Sequence, residues 1–371
     1  MQAAHCFFAV VSTMSQNPNL RIALVGCGRI AKRHTELLGQ GRIVGAELGA
    51  VCDIQPEKAA ALGAQWNVPH YSDMHAMMQR EKPDVVAILT ESGNHGRHIV
   101  ELASYHKHII VEKPMALSLD DADEAIRACD VNKVKLFVVK QNRFNLPVQK
   151  LRDRIEAKRF GKLVLGTVRV RWCRTQSYYD ESSWRGTWAL DGGVLANQAS
   201  HHLDLLEWMM GDVESVYARA TTALVDIEAE DTAVAILRFR SGALGVVEAT
   251  TAARPRDLEG SLSILGEKAA VEISGFAVNE VRHWNFENPD EEDLTAKENF
   301  SVKPQSVYGF GHQAYYDHVV DCIRNNKHQL IDGLEGRRSL ELINAIYESI
   351  ETDREVKMRF SPTRCRLGGV A

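Results

Sequence analysis

Two segments carry side chains suited to proton transfer. Ile109-Ile110-Val111-Glu112-Lys113-Pro114 ends an apolar run in two opposite charges and a proline. A lysine at the end of a buried strand is costly unless it has a partner or a task. Partial desolvation lowers its pKa, which suits acid–base work or hydrogen bonding to a hydroxyl. The second segment, Asp191-Gly192-Gly193-Val194-Leu195-Ala196-Asn197-Gln198-Ala199-Ser200-His201-His202-Leu203-Asp204, reads as a glycine turn running into a helix. At 100° per residue from Asn197, His201 falls at about 40° and Asp204 at about 340°. Ala199, Leu203, Leu206 and Met210 cluster at about 180–240°, on the opposite side. Asn197, His201 and Asp204 are therefore expected on one face, where polar neighbours hold His201 in one tautomer as a proton acceptor. Read singly, each segment has an ordinary explanation: a Glu112–Lys113 surface pair and a solvated helix face.

A cofactor signal precedes them. The apolar run Arg21–Val25 enters Gly26-Cys27-Gly28-Arg29-Ile30-Ala31, a G-x-G-x-x-A string between a strand and a helix. The first glycine allows the tight turn, the second lets the backbone approach a pyrophosphate, and the helix N-terminus faces the phosphates. Asp53 follows 22 residues after Ala31 at the end of the next strand. There a carboxylate accepts from ribose hydroxyls and repels a 2′-phosphate, so NAD is expected rather than NADP. Thr90-Glu91-Ser92-Gly93-Asn94-His95 ends a later strand, on the sheet edge where such folds bind ligands. Thr90, Ser92 and His95 are candidates to reach the cofactor, with a helix-start role as the alternative for His95.

The elements that position these groups are legible from periodicity. Short apolar runs at Arg21–Val25, Glu47–Cys52, Val85–Leu89, His108–Val111 and Lys135–Val139 alternate with amphipathic stretches, two of them Gln55–Gln65 and Ser118–Cys129. That pattern predicts a doubly wound α/β Rossmann domain with a parallel sheet over 20–141. From 142 to 371 the texture becomes α+β. Strands are predicted at Val164–Trp172, Ser215–Thr222, Thr232–Phe239, Ala243–Ala249 and Leu262–Gly266, with tight turns at Arg240-Ser241-Gly242 and Gly266-Glu267-Lys268. Hairpin connections of this kind predict a large, open, mainly antiparallel sheet. Helices fit Asn197–Met210, His312–Asn325 and Gly333–Thr352, and the acidic run Asn288–Asp293 reads as a solvated loop.

Composition narrows the class. With 371 residues, 45% hydrophobic content and a net charge of −5, the chain suits a two-domain globular protein and gives no reason to expect nucleic acid. The seven scattered cysteines, Cys6, Cys27, Cys52, Cys129, Cys173, Cys322 and Cys365, form no zinc or disulfide spacing, which is expected of a reduced, cytoplasmic protein. No H-E-x-x-H string occurs, so no metal is expected. Residues 1–19 lack the basic start of a secretory signal and the length of a membrane span. They read as a disordered or non-native extension, with Met14 an alternative start.

In this order the pieces resemble the glucose–fructose oxidoreductase/inositol dehydrogenase family, from about Leu20 to Val356. Glu112-Lys113-Pro114 matches its E-K-P motif, and Gly192 to Asp204 matches its G-G-x(7)-H-x-x-D element. The resemblance implies that Lys113 and His201, with Asn197, bracket a carbinol whose hydride passes to the nicotinamide. Many members carry Asp where this chain has Asn197. An amide cannot stabilise an imidazolium by charge, so more of the base role falls to Lys113, and which of the two removes the proton stays open. Expected cofactor contacts are Gly26, Cys27, Gly28, Arg29, Ile30, Asp53, Thr90, Glu91, Ser92, His95, Glu112, Lys113 and Gln141. A homodimer or homotetramer built on the open sheet is also implied.

Lys140-Gln141-Asn142-Arg143-Phe144-Asn145-Leu146-Pro147 and Trp184-Arg185-Gly186-Thr187-Trp188 look like one branch of that family. It oxidises UDP-N-acetylglucosaminuronate at C3 toward diacetamido-uronic acids of bacterial surface polysaccharide such as lipopolysaccharide O-antigen. The implied substrate contacts are Lys113, Asn142, Arg143, Trp184, Arg185, Gln198 and His201, with Trp188 a second candidate to cover a sugar or base. Guanidinium groups suit a diphosphate or carboxylate; a paired arginine and a core tryptophan are the plain alternatives. The ketone product would pass to an aminotransferase. A dehydrogenase of a free polyol such as inositol, and a dinucleotide-binding regulator without turnover, are the rival readings.

Overall fold

The structure, a computed structural model, describes residues 18–301, 311–358 and 367 of the chain. The alternative start at Met14, Cys6 and Cys365 lie outside the described residues. None of the five described cysteines is in a disulfide.

The first sheet contains β1 (Leu20–Val25), β2 (Ala46–Cys52), β3 (His70–Tyr71), β4 (Val85–Ile88), β5 (His108–Val111) and β6 (Leu136–Val138). All five apolar runs form strands within one residue of the expected ends. The order β3-β2-β1-β4-β5-β6 is parallel throughout and reverses direction between β1 and β4. Ligands of such sheets lie at that reversal, beyond the carboxyl ends of the strands. The strands are apolar on both faces because helices cover both: α1 (Ala31–Gly39) on one, and α3 (His95–Ala103) and α4 (Leu119–Val131) on the other, with α2 (Pro56–Trp66) beside β2 and β3. Ser118 caps α4 by accepting from the Asp121 N–H.

After α5 (Leu146–Glu156) the second sheet runs through β7 (Leu163–Arg171), β8 (Val213–Thr221), β9 (Thr232–Phe239), β10 (Leu244–Thr250), β11 (Glu259–Gly266), β12 (Ala269–Ser274), β13 (Glu280–Phe286) and β14 (Val356–Lys357). Its order is β13-β12-β11-β7-β10-β9-β8-β14, with only β7–β10 parallel. Strict alternation along β9 buries Ala233, Ala235, Leu237 and Phe239. The buried face packs on α6 (Ser200–Met210) and α8 (Gly333–Thr352), while Tyr217, Val234, Ile236, Leu244 and Leu265 stay exposed on the other.

The two halves interleave. Helix α7 (Gly311–Arg324) buries Tyr315, Tyr316, Val319 and Val320 in one core with Ile22, Leu24, Ile110 and Phe137 of the first sheet. A boundary at 141 thus divides the chain in sequence, whereas in space α7 returns to the cofactor domain. The acidic run is a solvated loop only in its first half: residues 288–291 are exposed, but Asp290 caps a short helix, and the Asp293 carboxylate, wholly buried, accepts from Trp284 Nε1 and pairs with Arg154 and Arg159.

Candidate active site

A cavity of about 840 Å³ opens at the β1/β4 reversal and extends under the second sheet. Its first half is built on the glycine turn. Gly26 has φ +102°, and a Cβ there would lie 2.6 Å from the Leu89 carbonyl oxygen, so only glycine fits. A Cβ on Gly28 would meet no protein atom within 4 Å; it would enter the cavity instead. Cys27, Arg29 and Ile30 line the same wall ahead of the α1 N-terminus. Asp53 accepts the Cys27 N–H at 2.7 Å through Oδ2 and the Gln55 N–H at 2.9 Å through Oδ1. Each oxygen keeps a lone pair for a ribose hydroxyl. These groups fit NAD: open space for a pyrophosphate at a helix start and a fixed carboxylate at the ribose position.

Thr90, Glu91, Ser92 and His95 also line the wall. His95 is buried at the start of α3, its ring between the Pro114 carbonyl (2.7 Å) and the Thr90 carbonyl (3.0 Å). It ties the ends of β4 and β5 together, and burial lowers its pKa. Arg29 pairs with Glu181 of the second domain at 2.7 Å, spanning the cleft.

Lys113 and His201 come together at the junction of the domains. The Lys113 ammonium donates to the Asn197 carbonyl at 2.8 Å, and both residues line the cavity with His201 and Gln198. Burial lowers the Lys113 pKa against the opposing charges of Glu112 and Asp191. Burial and the Lys113 charge hold His201 well below the usual imidazole range, so its ring is neutral at neutral pH. Gln141 Nε2 donates to His201 Nε2 at 3.1 Å. Glu112 lies deeper. Burial opposes its charge, but His34 at 3.1 Å and His312 at 3.9 Å hold its carboxyl well below the ordinary value. His34 in turn meets the Tyr316 hydroxyl at 2.6 Å. His34, Glu112 and His312 place ligand atoms within 4.8 Å of one another, a packed hydrogen-bonding group that spans α1, β5 and α7.

The helix carrying His201 starts at Ser200, not Asn197, because the turn after Gly192-Gly193 continues through Ala199. A Cβ on Gly193 would lie 2.1 Å from Glu230 Oε2, which explains the glycine. The expected polar face is corrected at Asp204. It points away from the cavity into a buried cluster, accepting from Lys140 at 2.5 Å and from Arg143 at 2.7 and 2.8 Å. Arg143 also pairs with Glu335 of α8 at 2.8 Å. Neither Arg143 nor Asn142 lines the cavity, so the expectation that they touch substrate is corrected as well; a fully buried guanidinium needs both acids as partners. Trp188 is a core residue, set edge-on to Tyr347.

Trp184 and Arg185 do line the cavity. Arg185 Nη1 donates to the Tyr178 hydroxyl at 2.6 Å, its guanidinium stacks over Tyr178 and Trp184, and its Nε is buried without a partner. Sequence reasoning missed Trp172, Arg174, Tyr178 and Phe276 on the same wall. Trp172 and Phe276 stack at 4.7 Å and 11°, and Arg174 lies over Trp172. Trp172 stands at the end of a strand and Phe276 in a turn far along the chain. No local spacing joins them.

Two family profiles match the chain: "Oxidoreductase family, NAD-binding Rossmann fold" over residues 20–140, and "Oxidoreductase family, C-terminal alpha/beta domain" over 152–358. The chain is 28% identical over 354 residues to myo-inositol 2-dehydrogenase of Thermotoga maritima, with 91% of this chain and 98% of that protein covered. The WlbA dehydrogenase of Bordetella pertussis, solved in complex with NADH and UDP-GlcNAcA, has a TM-score of 0.84 at 41% identity, over 92% of this chain and 99% of that one. The WlbA dehydrogenase of Chromobacterium violaceum, solved with the same two molecules, has a TM-score of 0.87 at 42% identity, over 93% and 97%. With profile matches across both domains and a cleft that fits the dinucleotide, the chain belongs to the GFO/IDH/MocA oxidoreductase family and is an NAD-dependent oxidoreductase acting on sugar hydroxyl groups.

Proposed function

We propose that the protein oxidises C3 of UDP-N-acetylglucosaminuronate to the 3-keto sugar, in the biosynthesis of a bacterial surface polysaccharide such as O-antigen. One observation carries the reading: the far wall of the cavity joins Arg174 and Arg185 to the aromatic faces of Trp172, Phe276, Tyr178 and Trp184. A free polyol needs neither cations nor stacking surfaces, whereas a nucleotide sugar acid carries a diphosphate, a carboxylate and a planar base. The 41% and 42% identity to the two WlbA dehydrogenases supports the same substrate, against 28% for the inositol enzyme.

When bound, NAD supplies the hydride acceptor. Lys113, as the neutral amine that its lowered pKa brings within reach, accepts the hydroxyl proton as C3 is oxidised. Its lowered pKa and its fixed bond to the Asn197 carbonyl suit it to that role. His201, neutral and held by Gln141, hydrogen-bonds the reacting oxygen and orients it. Burial of both groups between the domains excludes water and sets the carbinol within reach of the ring, which supplies much of the rate gain. Asp53 fixes the ribose, and Arg185 and Gln198 hold the sugar. The ketone is a substrate for an aminotransferase, the place is the cytoplasm, and the apolar outer row from Tyr217 to Leu265 pairs subunits into a dimer or tetramer.

The test is spectroscopic. Purified protein with NAD⁺ and UDP-N-acetylglucosaminuronate gains absorbance at the NADH maximum, while inositol and other free polyols do not react. Reduction by inositol but not by the nucleotide sugar reverses the assignment.

A further inference from the structure

Behind Asn197 stands a carboxylate to which no sequence motif gives a role. Asp191 is 1% exposed and lies in the irregular stretch between β7 and α6. Its Oδ2 accepts the Gly186 N–H at 2.8 Å, and its Oδ1 accepts the Asn197 amide at 2.5 Å. A carboxylate only accepts, so the atom of Asn197 that faces it is the amide nitrogen. Turning the amide end for end would set oxygen against oxygen. The Asn197 Oδ1 has no partner among the described residues, and Asn197 lines the cavity. The same residue's main-chain carbonyl receives the Lys113 ammonium at 2.8 Å. Two acids act on the Lys113 charge, Glu112 and Asp191. Glu112 commits its oxygens to His34 and to the Lys113 backbone N–H, which leaves Asp191 as the counter-charge on the Asn197 side.

We propose that Asp191 is a positioning residue of the oxidation: it pins Asn197 so that the amide oxygen offers an acceptor to the substrate while the main-chain carbonyl holds Lys113 beside the reacting hydroxyl. The inference rests on the reaction assigned above. It divides two tasks between two side chains. Asp191 supplies charge from behind, and Asn197 presents a neutral acceptor in front.

The arrangement depends on Asp191 being ionised. Burial pushes its carboxyl up to about 6, against hydrogen bonds from Gly186 and Asn197 and the charges of Lys113 and Arg185. The titratable groups facing it are Lys113, Arg185, Tyr179 and Glu230, the last pushed up to about 7 by its own burial. Both oxygens of Asp191 accept hydrogen bonds, so a proton on either displaces a donor as pH falls through about 6.

A residue swap tests this in the full-length enzyme. In Asp191→Asn the new amide nitrogen faces either the Gly186 N–H or the Asn197 amide, donor against donor. In Asn197→Asp two carboxylates meet and must share a proton. The double variant, Asp191→Asn with Asn197→Asp, exchanges the two roles. Its amide at position 191 accepts from Gly186 through oxygen and donates through nitrogen to the carboxylate at position 197, so every hydrogen bond is satisfied. Each single variant is expected to lose about a hundredfold in kcat, the scale of a misplaced reacting group, while the KM and NADH affinity move only about threefold. The swap is expected to return kcat to within about tenfold of the parent, and Asp191→Asn to lose the acid limb of the kcat profile near pH 6. Singles with parental kcat, or a double variant as impaired as the product of the singles, overturn the proposal. A parent enzyme that leaves the nucleotide sugar unoxidised overturns the reaction instead. In that case the pH dependence of Lys113 labelling by an amine reagent still reads the inference: its midpoint falls in Asp191→Asn if Asp191 is the counter-charge, and an unmoved midpoint overturns it.

Discussion

Replacing Arg143 by methionine removes one guanidinium from a buried cluster while keeping most of the side-chain volume. Arg143 makes two bonds to Asp204 and one to Glu335, and its guanidinium lies 4.8 Å from the Trp208 ring centroid. Breaking a buried pair by deleting one partner costs about 3–5 kcal/mol, because the remaining charge is left uncompensated. Lys140 still donates to Asp204 at 2.5 Å, which places this case at the lower end, about 3 kcal/mol. With an unfolding entropy of about 2.1 cal/mol/K per residue, a chain of this length loses about 4 °C in Tm. The assay is thermal unfolding at neutral pH without ligand, paired with steady-state kinetics on the nucleotide sugar. A Tm within about 1 °C of the parent together with a roughly tenfold rise in KM would show that Arg143 touches substrate and that the buried cluster is misassigned.

Lys113→Met is expected to lower kcat by about 10²–10⁴ while NADH still binds, measured by turnover and by tryptophan fluorescence; equal losses in both would place Lys113 in cofactor binding alone. Asp53→Ala removes a charged acceptor from the ribose position, worth about 1.5–3 kcal/mol, so the Kd for NAD rises by roughly ten- to a hundredfold. Discrimination against NADP should shrink in the same titration, and an unchanged ratio refutes the assignment. Burial pulls His202 down to about 4, so the folded protein binds fewer protons there than the unfolded chain. That stability is complete above the unfolded imidazole value and is lost as pH falls through about 6.5, the loss reaching about 1.4 kcal/mol at pH 5.5. Urea unfolding at pH 7.5 and 5.5 should show this loss reduced in His202→Gln; an equal loss in both proteins rules the group out.

Much of the cofactor half is legible from local pattern. Parallel strands covered on both faces read as unbroken apolar runs, and the glycine turn with Asp53 is a contiguous signature with a fixed physical reason for each residue. Lys113 and His201 are legible because each sits inside a motif, and the fold brings the two motifs into one cavity. The far wall is another matter. Trp172 and Phe276 meet only because β7 and the turn after β12 lie close together, and Arg174 follows from Trp172 rather than from any motif. Arg143 misleads for the opposite reason. It sits in a suggestive string, yet its partners Asp204 and Glu335 stand 61 and 192 residues away. Periodicity puts Asn197 on a helix, while Gly192 and Gly193 hold the chain in a turn until Ser200. Helical spacing does not report where a turn ends.

The return of α7 to the first sheet constrains how the chain is made. Ile22, Leu24, Ile110 and Phe137 emerge from the ribosome long before Tyr315 and Tyr316, which cover them. Until then the nascent nucleotide-binding half carries an uncovered oily flank. A truncated product ending near residue 140 keeps that flank for good and is expected to clump, whereas a nick in the loop between the halves leaves both pieces clasped by the helix. Synthesis of this protein is therefore complete, in the sense that matters for solubility, only when α7 has been translated.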